Sequence, residues 1–421
     1  MRFHINHTLI YIIISKTNII NINHLEVFIY KHIFLYSNIY IKEDSVLVYM
    51  FVLNLTGVSI SNNSLFSTLE VKTNISYIYD IHCKYVCVFS DYHPLCSEDY
   101  ITVVDTLNDR GKHINTIHQS YNNDSEITIY IYQICNEEQV YLNLLTKIRN
   151  HGRDKMDRTR VGTRSLFGEH LTFSLENERL PVLTSKKIPV SIVLKELIWF
   201  LQGNTNNKSL IEQNVHIWDK NGSRDTLDKL GFNEREEGEL GPIYGFQWRY
   251  WGAEYPSKNG GIDQINNIIR MLREDQHSRR MILSAWNVSD LDKMALPPCH
   301  MMCQFYVTSH HPPRLSCNMY QRSGDIFLGV PFNITSYALL THIIAHLAGM
   351  KAHQLNMFFG DVHLYNNHVD QAFEQTMKHP LYEFPTVSID DELKDIDNID
   401  ISHIKIKNYK SHERITADMA V

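Results

Sequence analysis

Proline and glycine are almost missing from the first third of this 421-residue sequence. Before residue 137 the only glycines are Gly57 and Gly111 and the only proline is Pro94, and residues 1–50 hold neither. Compact domains need turn formers, so residues 1–136 read as an irregular or strand-rich extension, with one strong strand pattern from Glu126 to Gln133. An excess of positive charge is also missing. A formal charge of -7 excludes a general nucleic-acid binder, so an anionic ligand must be met by a local group of arginines. No apolar run reaches membrane-spanning length; Leu9 to Ile14 is cut short by Ser15, Lys16 and Thr17, with no small-residue cleavage site after it. The seven cysteines are odd in number and unevenly spaced, which suits reduced thiols and a cytoplasmic protein better than a disulfide framework. His82, Cys83, Cys87, His93 and Cys96 lack the paired C-x2-C spacing of a structural zinc site, so no metal is expected.

What is present becomes clear from Glu137 onward. Val140, Leu142, Leu144, Leu145 and Ile148 suggest one helix. Leu194, Leu197, Ile198 and Leu201 suggest a second, stopped by Gly203. Ile262, Ile265, Ile268, Ile269 and Leu272 form another helical stripe, and Leu340, Ile343, Ile344 and Leu347 mark a core helix. Between them lie strand-like runs at 281–286, 301–308, 315–322 and 355–359. In the run 315–322, Asn318, Tyr320 and Arg322 share one face, and Cys317, Met319 and Gln321 the other. Helices interleaved with such strands argue for an α+β domain over 137–421 with a large, mostly buried sheet.

Chemistry gathers around Pro297-Pro-Cys-His300. Two prolines fix the backbone before Cys299, and His300 offers a proton partner. A thiol of ordinary pKa near 8.5 becomes a nucleophile only when a cation or dipole favours its anion. Arg158, Arg279, Arg280 and Arg322 are the candidate cations, and with Ser323 they make a candidate phosphate site. A thiol, an arginine-serine anion site and the amide of Asn333 suggest a nucleophilic enzyme acting on a phosphorylated heterocycle. Pattern alone leaves open whether Glu196 is an acid on an exposed helix face or a functional one.

From about Glu137 to Val421 the chain resembles the thymidylate synthases. The resemblance rests on Asp157-Arg-Thr-x-Val-Gly-Thr163, Lys195-Glu-Leu-Ile-Trp-Phe-Leu201, Ile217-Trp-Asp219 and Gly241-Pro-Ile-Tyr-Gly-Phe-Gln-Trp-Arg249. It continues through Ser278-Arg-Arg280, Pro297-Pro-Cys-His300, Gln304-Phe-Tyr-Val307, Gln321-Arg-Ser-Gly-Asp325, Gly329-Val-Pro-Phe-Asn333, Gly360-Asp-Val-His-Leu-Tyr365 and Met419-Ala-Val421. It implies that fold, with a mixed sheet and packed helices. The implied activity is reductive methylation of dUMP to dTMP, with 5,10-methylenetetrahydrofolate as co-substrate and dihydrofolate as the product it becomes. By the same resemblance Cys299 attacks C6 of the uracil, with Glu196, Tyr244 and His300 as its catalytic partners. Arg158, Arg322 and Ser323 hold the phosphate, joined by Arg279 and Arg280 from a second subunit of a homodimer. Asn333 reads the uracil edge, where related deoxycytidylate hydroxymethylases carry Asp. His363 and Tyr365 take the sugar; Asp325, Trp218, Asn221 and Phe332 line the folate site; Ala420 and Val421 close over it. Two departures bear on loop shape: His353-Gln354 for the family's Gly-Asp, and Ser411-His412-Glu413 for its Pro-His-Pro. Some relatives carry a dihydrofolate reductase ahead of the synthase, so residues 1–136 also admit a reductase remnant, with NADPH as cofactor only if it works. Without a Leu-Pro-Trp setting or a Gly-Gly turn, that segment does not read as a working reductase. A catalytically silent nucleotide-binding scaffold is the third reading, against which the intact Cys299, Arg322, Asn333 and Tyr244 argue.

Overall fold

The computed structural model describes residues 137–157, 160–308, 312–379 and 381–418 in full and, before them, the backbone of five strands. Contacts divide the chain into two units, Met1–Asn136 and Glu137–Val421. In the first, β1 (Ile10–Ser15), β2 (Tyr49–Leu53), β3 (Tyr85–Asp91), β4 (Gly111–Tyr121) and β5 (Ser125–Ile134) form one sheet. Its order is β2-β1-β3-β5-β4, and every neighbour is antiparallel. The strand pattern at 126–133 falls inside β5, and the described part of this unit is strand-rich rather than irregular. The side chains from His82 to Cys96 lie outside the described residues. Among the described residues no group of His, Cys, Asp or Glu is placed to hold a metal, and no helix is long and apolar enough to cross a membrane.

The second unit is built on a six-stranded sheet of order β6-β7-β11-β10-β9-β8. Its strands are β6 (Arg153–Lys155), β7 (Thr163–Ser174), β8 (Ile282–Ser284), β9 (His300–Val307), β10 (Arg314–Asp325) and β11 (Lys351–Tyr365). Only the β10–β11 pair is parallel, so the sheet is mixed. Six longer helices accompany it: α1 (Glu138–His151), α2 (Val190–Leu201), α3 (Tyr244–Tyr250), α4 (Gln264–Glu274), α5 (Gly329–Leu347) and α6 (Val369–Thr376). Alternation decides which side of each strand is covered. Cys317, Met319 and Gln321 of β10, Leu355, Met357 and Phe359 of β11, and Cys303 and Phe305 of β9 are buried. The other side keeps Tyr306, Tyr320 and Phe358 exposed by 61, 39 and 42%.

Helix α2 ends where Gly203 takes a φ of +68°, a conformation glycine adopts without steric cost. A Cβ there would also meet the Tyr250 ring at 2.5 Å. Helix α5 begins eleven residues before the apolar stripe at Leu340, taking in Pro331 and Asn333. Proline is tolerated in a first turn because its missing N–H has no partner to lose there. Ile262 does not belong to α4. It is 55% exposed and pairs with Trp251, because Asp263 caps the helix by accepting from the Asn266 N–H at 3.0 Å. The strand expected at 281–286 contracts to Ile282–Ser284, whereas the run at 355–359 grows into a 15-residue strand that carries His363 and Tyr365. His353 and Gln354 continue that strand, with His353 Nδ1 3.0 Å from Glu176 Oε1. In the second departure, the His412 N–H donates to the Thr184 carbonyl at 2.8 Å.

One buried acid ties α1 to the rest of this unit. Glu138 is fully buried and accepts from the Thr184 N–H (2.7 Å), the Thr184 hydroxyl (2.6 Å) and the Ser185 N–H (2.8 Å). Glu138→Ala strands two buried backbone donors, so it is expected to lower unfolding stability by about 2–4 kcal/mol. Urea unfolding of variant and wild type measures this, and a difference below about 0.5 kcal/mol refutes the role given to Glu138.

Candidate active site

Cys299 stands at the entry to β9, and two contacts fix its backbone. Its N–H donates to the Tyr244 hydroxyl at 2.8 Å, and its carbonyl accepts from the Arg322 N–H at 2.8 Å. Arg322, on β10, donates from Nε to the Pro298 carbonyl at 2.8 Å and from Nη2 to the Pro297 carbonyl at 2.9 Å. The same Nη2 lies 3.8 Å from the Cys299 sulfur. Strand β11 permits this through Gly360, where a Cβ would meet the Arg322 carbonyl at 2.8 Å. The result is a permanent cation beside the thiol, the setting in which a thiolate is stabilised.

Aromatic rings wall the site on the side of α2 and α3. Tyr244 lies 4.9 Å from the Phe200 ring and stacks on His300 at 4.2 Å. Trp218, 7% exposed, donates from Nε1 to Glu196 Oε1 at 2.7 Å. Although some of the Glu196 surface remains accessible, its carboxyl sits against the Trp218 ring rather than on a solvated helix face. Burial raises its pKa to about 7, with the Trp218 hydrogen bond opposing that shift. Burial lowers His300 to about 3, so its imidazole is neutral at physiological pH. The Tyr244 phenol is pushed well above its ordinary value by burial and by the nearby Cys299, and it keeps its proton.

The parallel register of β10 and β11 brings two distant motifs side by side, setting Ser323 opposite Asp361 and Asp325 opposite His363. His363 Nδ1 meets Asp361 Oδ1 at 2.9 Å, and Lys155 donates to the other carboxylate oxygen at 2.9 Å. Those bonds, the one to His363 foremost, pull Asp361 down to about 2. Tyr365 packs edge-on to His363 at 5.2 Å. Asn333 accepts at Oδ1 from Gln321 Nε2 at 3.1 Å, and Gln321 also donates to the Ser323 carbonyl at 3.0 Å. Asp325 Oδ1 accepts from the Phe327 and Leu328 N–H groups at 2.9 and 3.2 Å, which holds the turn into α5. Phe332 is partly buried in the first turn of α5.

The fold thus gathers Cys299, Arg322, Tyr244, His300 and Glu196, and joins Ser323 and Asn333 to them through Gln321. It leaves Arg279 and Arg280 exposed on the segment before β8, and Asn221 half-buried in a single turn. Arg158, Ala420 and Val421 lie outside the described residues. Sequence reasoning missed two partners, Gln321 behind Asn333 and Tyr337 behind His300. Gln321 opens a quoted motif, but nothing local in the sequence marks Tyr337.

The Glu196 environment predicts a pH dependence. The unfolded carboxyl ionises near 4.5 and the folded one near 7, so its contribution to stability is full below the lower value. That contribution is lost as pH rises through the upper one. Glu196→Gln is therefore expected to gain stability relative to wild type between these pH values. Trp218→Phe should raise the Glu196 pKa further. Unfolding midpoints followed across the range, with infrared titration of the carboxyl, read both effects; a pH-independent difference contradicts the assignment.

Comparison with known proteins agrees with this geometry. A family model described as thymidylate synthase matches residues 139–421. The thymidylate synthase of Saccharomyces cerevisiae is 46% identical over 297 residues, 68% of this chain and 97% of that protein. The thymidylate synthase of Homo sapiens is 46% identical over 289 residues, 68% of this chain and 91% of that protein. A bifunctional dihydrofolate reductase-thymidylate synthase of Plasmodium chabaudi is 45% identical over 317 residues, 74% of this chain. The chain spans about half the length of such bifunctional relatives. With a family match along nearly the whole second unit, and relatives close to half identical across almost their full length, the chain belongs to the thymidylate synthase family.

Proposed function

We propose that this chain catalyses the reductive methylation of dUMP to dTMP. The single observation that carries this most directly is the Arg322 guanidinium held 3.8 Å from the Cys299 sulfur by the Pro297 and Pro298 carbonyls. The thiolate adds to C6 of the uracil, forming a carbon–sulfur bond and moving electron density to C5 and the C4 oxygen. Arg322 and Ser323, with Arg158, bind the phosphate. Asn333, oriented by Gln321, pairs with the uracil edge, and His363 and Tyr365 hold the sugar. The half-buried carboxylate of Asp325 and the partly buried ring of Phe332 offer the acceptor and apolar face that a pterin needs. Trp218 and Asn221 complete that wall, with Ala420 and Val421 closing over it. When bound, 5,10-methylenetetrahydrofolate supplies the one-carbon unit and the hydride. Glu196, poised near neutrality, and the protonated Tyr244 handle protons around C5.

The active unit is a homodimer on this reading. The exposed aromatic side of the sheet suits a second copy, and Arg279 and Arg280, solvated here, are free to enter the partner's phosphate site. A cytoplasmic location fits the free thiols of Cys299, Cys303 and Cys317.

Dihydrofolate formation from dUMP and methylenetetrahydrofolate tests the reaction. Wild type is expected to turn over and Cys299→Ser to be inactive; no wild-type turnover refutes the proposal. Asn333→Asp should cost dUMP roughly a thousandfold in kcat/KM, because the edge pairing is lost. Mixing inactive Cys299→Ser and Arg280→Ala subunits should restore activity through one intact shared site, and no recovery removes the shared-site claim. The same full-length chain, assayed for NADPH-dependent reduction of dihydrofolate, decides whether a reductase is added to this reading.

A further inference from the structure

His300 neighbours the nucleophile, yet its chemistry is set by a residue 37 positions away. Its Nδ1 lies 2.9 Å from the Tyr337 hydroxyl. Its ring is stacked on Tyr244 at 4.2 Å and 21°, and Tyr337 meets it edge-on at 5.4 Å and 83°. This clamp leaves Nε2 as the ring nitrogen available to a ligand. We propose that Tyr337 is a positioning residue that holds His300 in the Nε2–H tautomer, so that the imidazole presents a neutral hydrogen-bond donor to the C4 oxygen of the bound pyrimidine. The inference rests on the dUMP reading above.

Hydrogen-bond accounting supports it. His300 and Tyr337 are both neutral, so one proton lies between Nδ1 and the phenol oxygen, and it has two arrangements. In the first, the phenol donates to Nδ1, and Nε2 must carry the imidazole hydrogen. In the second, Nδ1–H donates to the phenol, whose own hydrogen then needs another acceptor. Among the described residues the hydroxyl has no hydrogen-bond partner other than His300; the Tyr244 phenol and the thiols of Cys303 and Cys317 are near enough to act on its charge, and none of them bonds to it. The second arrangement therefore leaves a buried phenol hydrogen without an acceptor, which is costly. The first is favoured. A neutral imidazole donor suits a carbonyl gaining negative charge in the transition state. It also discriminates between pyrimidines, since a C4 oxygen accepts its hydrogen bond and a C4 amino group does not. Helix α5 makes the arrangement economical: Tyr337 follows Asn333 by four residues, so one face delivers both the edge reader and the group that orients His300.

The tautomer is measurable without turnover. Long-range nitrogen NMR of full-length protein labelled at histidine, with His300 assigned by its loss in His300→Gln, is expected to show a protonated Nε2 and a bare Nδ1. A protonated Nδ1 in wild type overturns the proposal. In Tyr337→Phe the Nε2–H preference should be lost, and kcat should fall about tenfold with KM for dUMP unchanged. An unmoved tautomer or an unmoved kcat in that variant also overturns it, whereas a purely packing role lowers stability without shifting the tautomer. Should Tyr337→Phe not fold, the wild-type spectrum decides alone. If wild type fails to turn over dUMP, the reaction assignment falls, while the NMR result still reports on Tyr337 and His300.

Discussion

The geometry of the site depends first on how Arg322 is held. An arginine on a strand face is ordinarily a mobile, hydrated side chain with several rotamers to lose. Here the guanidinium spends two donors on the carbonyls of consecutive prolines, and its own N–H closes onto the Cys299 carbonyl. Proline fixes φ in that loop, so the acceptors are stiff and the arginine is pinned rather than merely attracted. Thiol position and neighbouring charge therefore share one cause. On the proposed function, replacing Arg322 would loosen the loop that carries Cys299 as well as remove a cation, so phosphate binding and thiol activation would fall together.

Around that one fixed charge the surroundings keep other groups neutral. Phe200, Trp218 and Tyr244 lie together, and the burial they share raises Glu196 toward 7 and lowers His300 to about 3. A carboxylate or an imidazolium in such surroundings would demand a charged partner and spend its hydrogen bonds on it. As neutral or near-neutral groups they remain able to pass or direct protons at little reorganisation cost. The exception is Asp361, pulled down by His363 and Lys155 at the edge where the sugar would lie. On the proposed function, charge is thus retained at the phosphate and sugar end, and suppressed around the base.

How much of this was legible in the sequence follows from the range of each interaction. Helix α2 could be read with its stop, because Gly203 acts on the turn beside it. The face assignment of β10 held for the same reason, since alternation is a local property. Strand β11 was underestimated because His353 and Gln354 before its apolar run and Asp361 after it break the pattern; pairing on both sides, parallel to β10 and antiparallel to β7, holds those residues in the strand. Ile262 was assigned to a helix by period alone, but a capping side chain at Asp263 outweighed the period. In the site, Cys299 was visible from its prolines, and its roles came through the family motifs. Glu196 remained ambiguous because its partner, Trp218, is 22 residues away and meets it only after α2 packs. Gln321 with Asn333 and Tyr337 with His300 are contacts between separate elements, and periodicity carries no trace of them.

One consequence concerns the net charge. A chain of charge -7 repels a nucleotide phosphate at long range, so binding has to be won locally by arginines close enough to act inside the screening length. Arg322 is committed in part to the proline carbonyls and stands by the sulfur. Arg279 and Arg280 remain exposed within one chain, and neither forms a salt bridge among the described residues. On the proposed dimer, covering the aromatic side of the sheet would desolvate apolar surface and bring those two cations to a site that already holds one. The hydrophobic gain from association would then help offset the cost of assembling like charges around a phosphate, a cost that one subunit alone has little surface to meet.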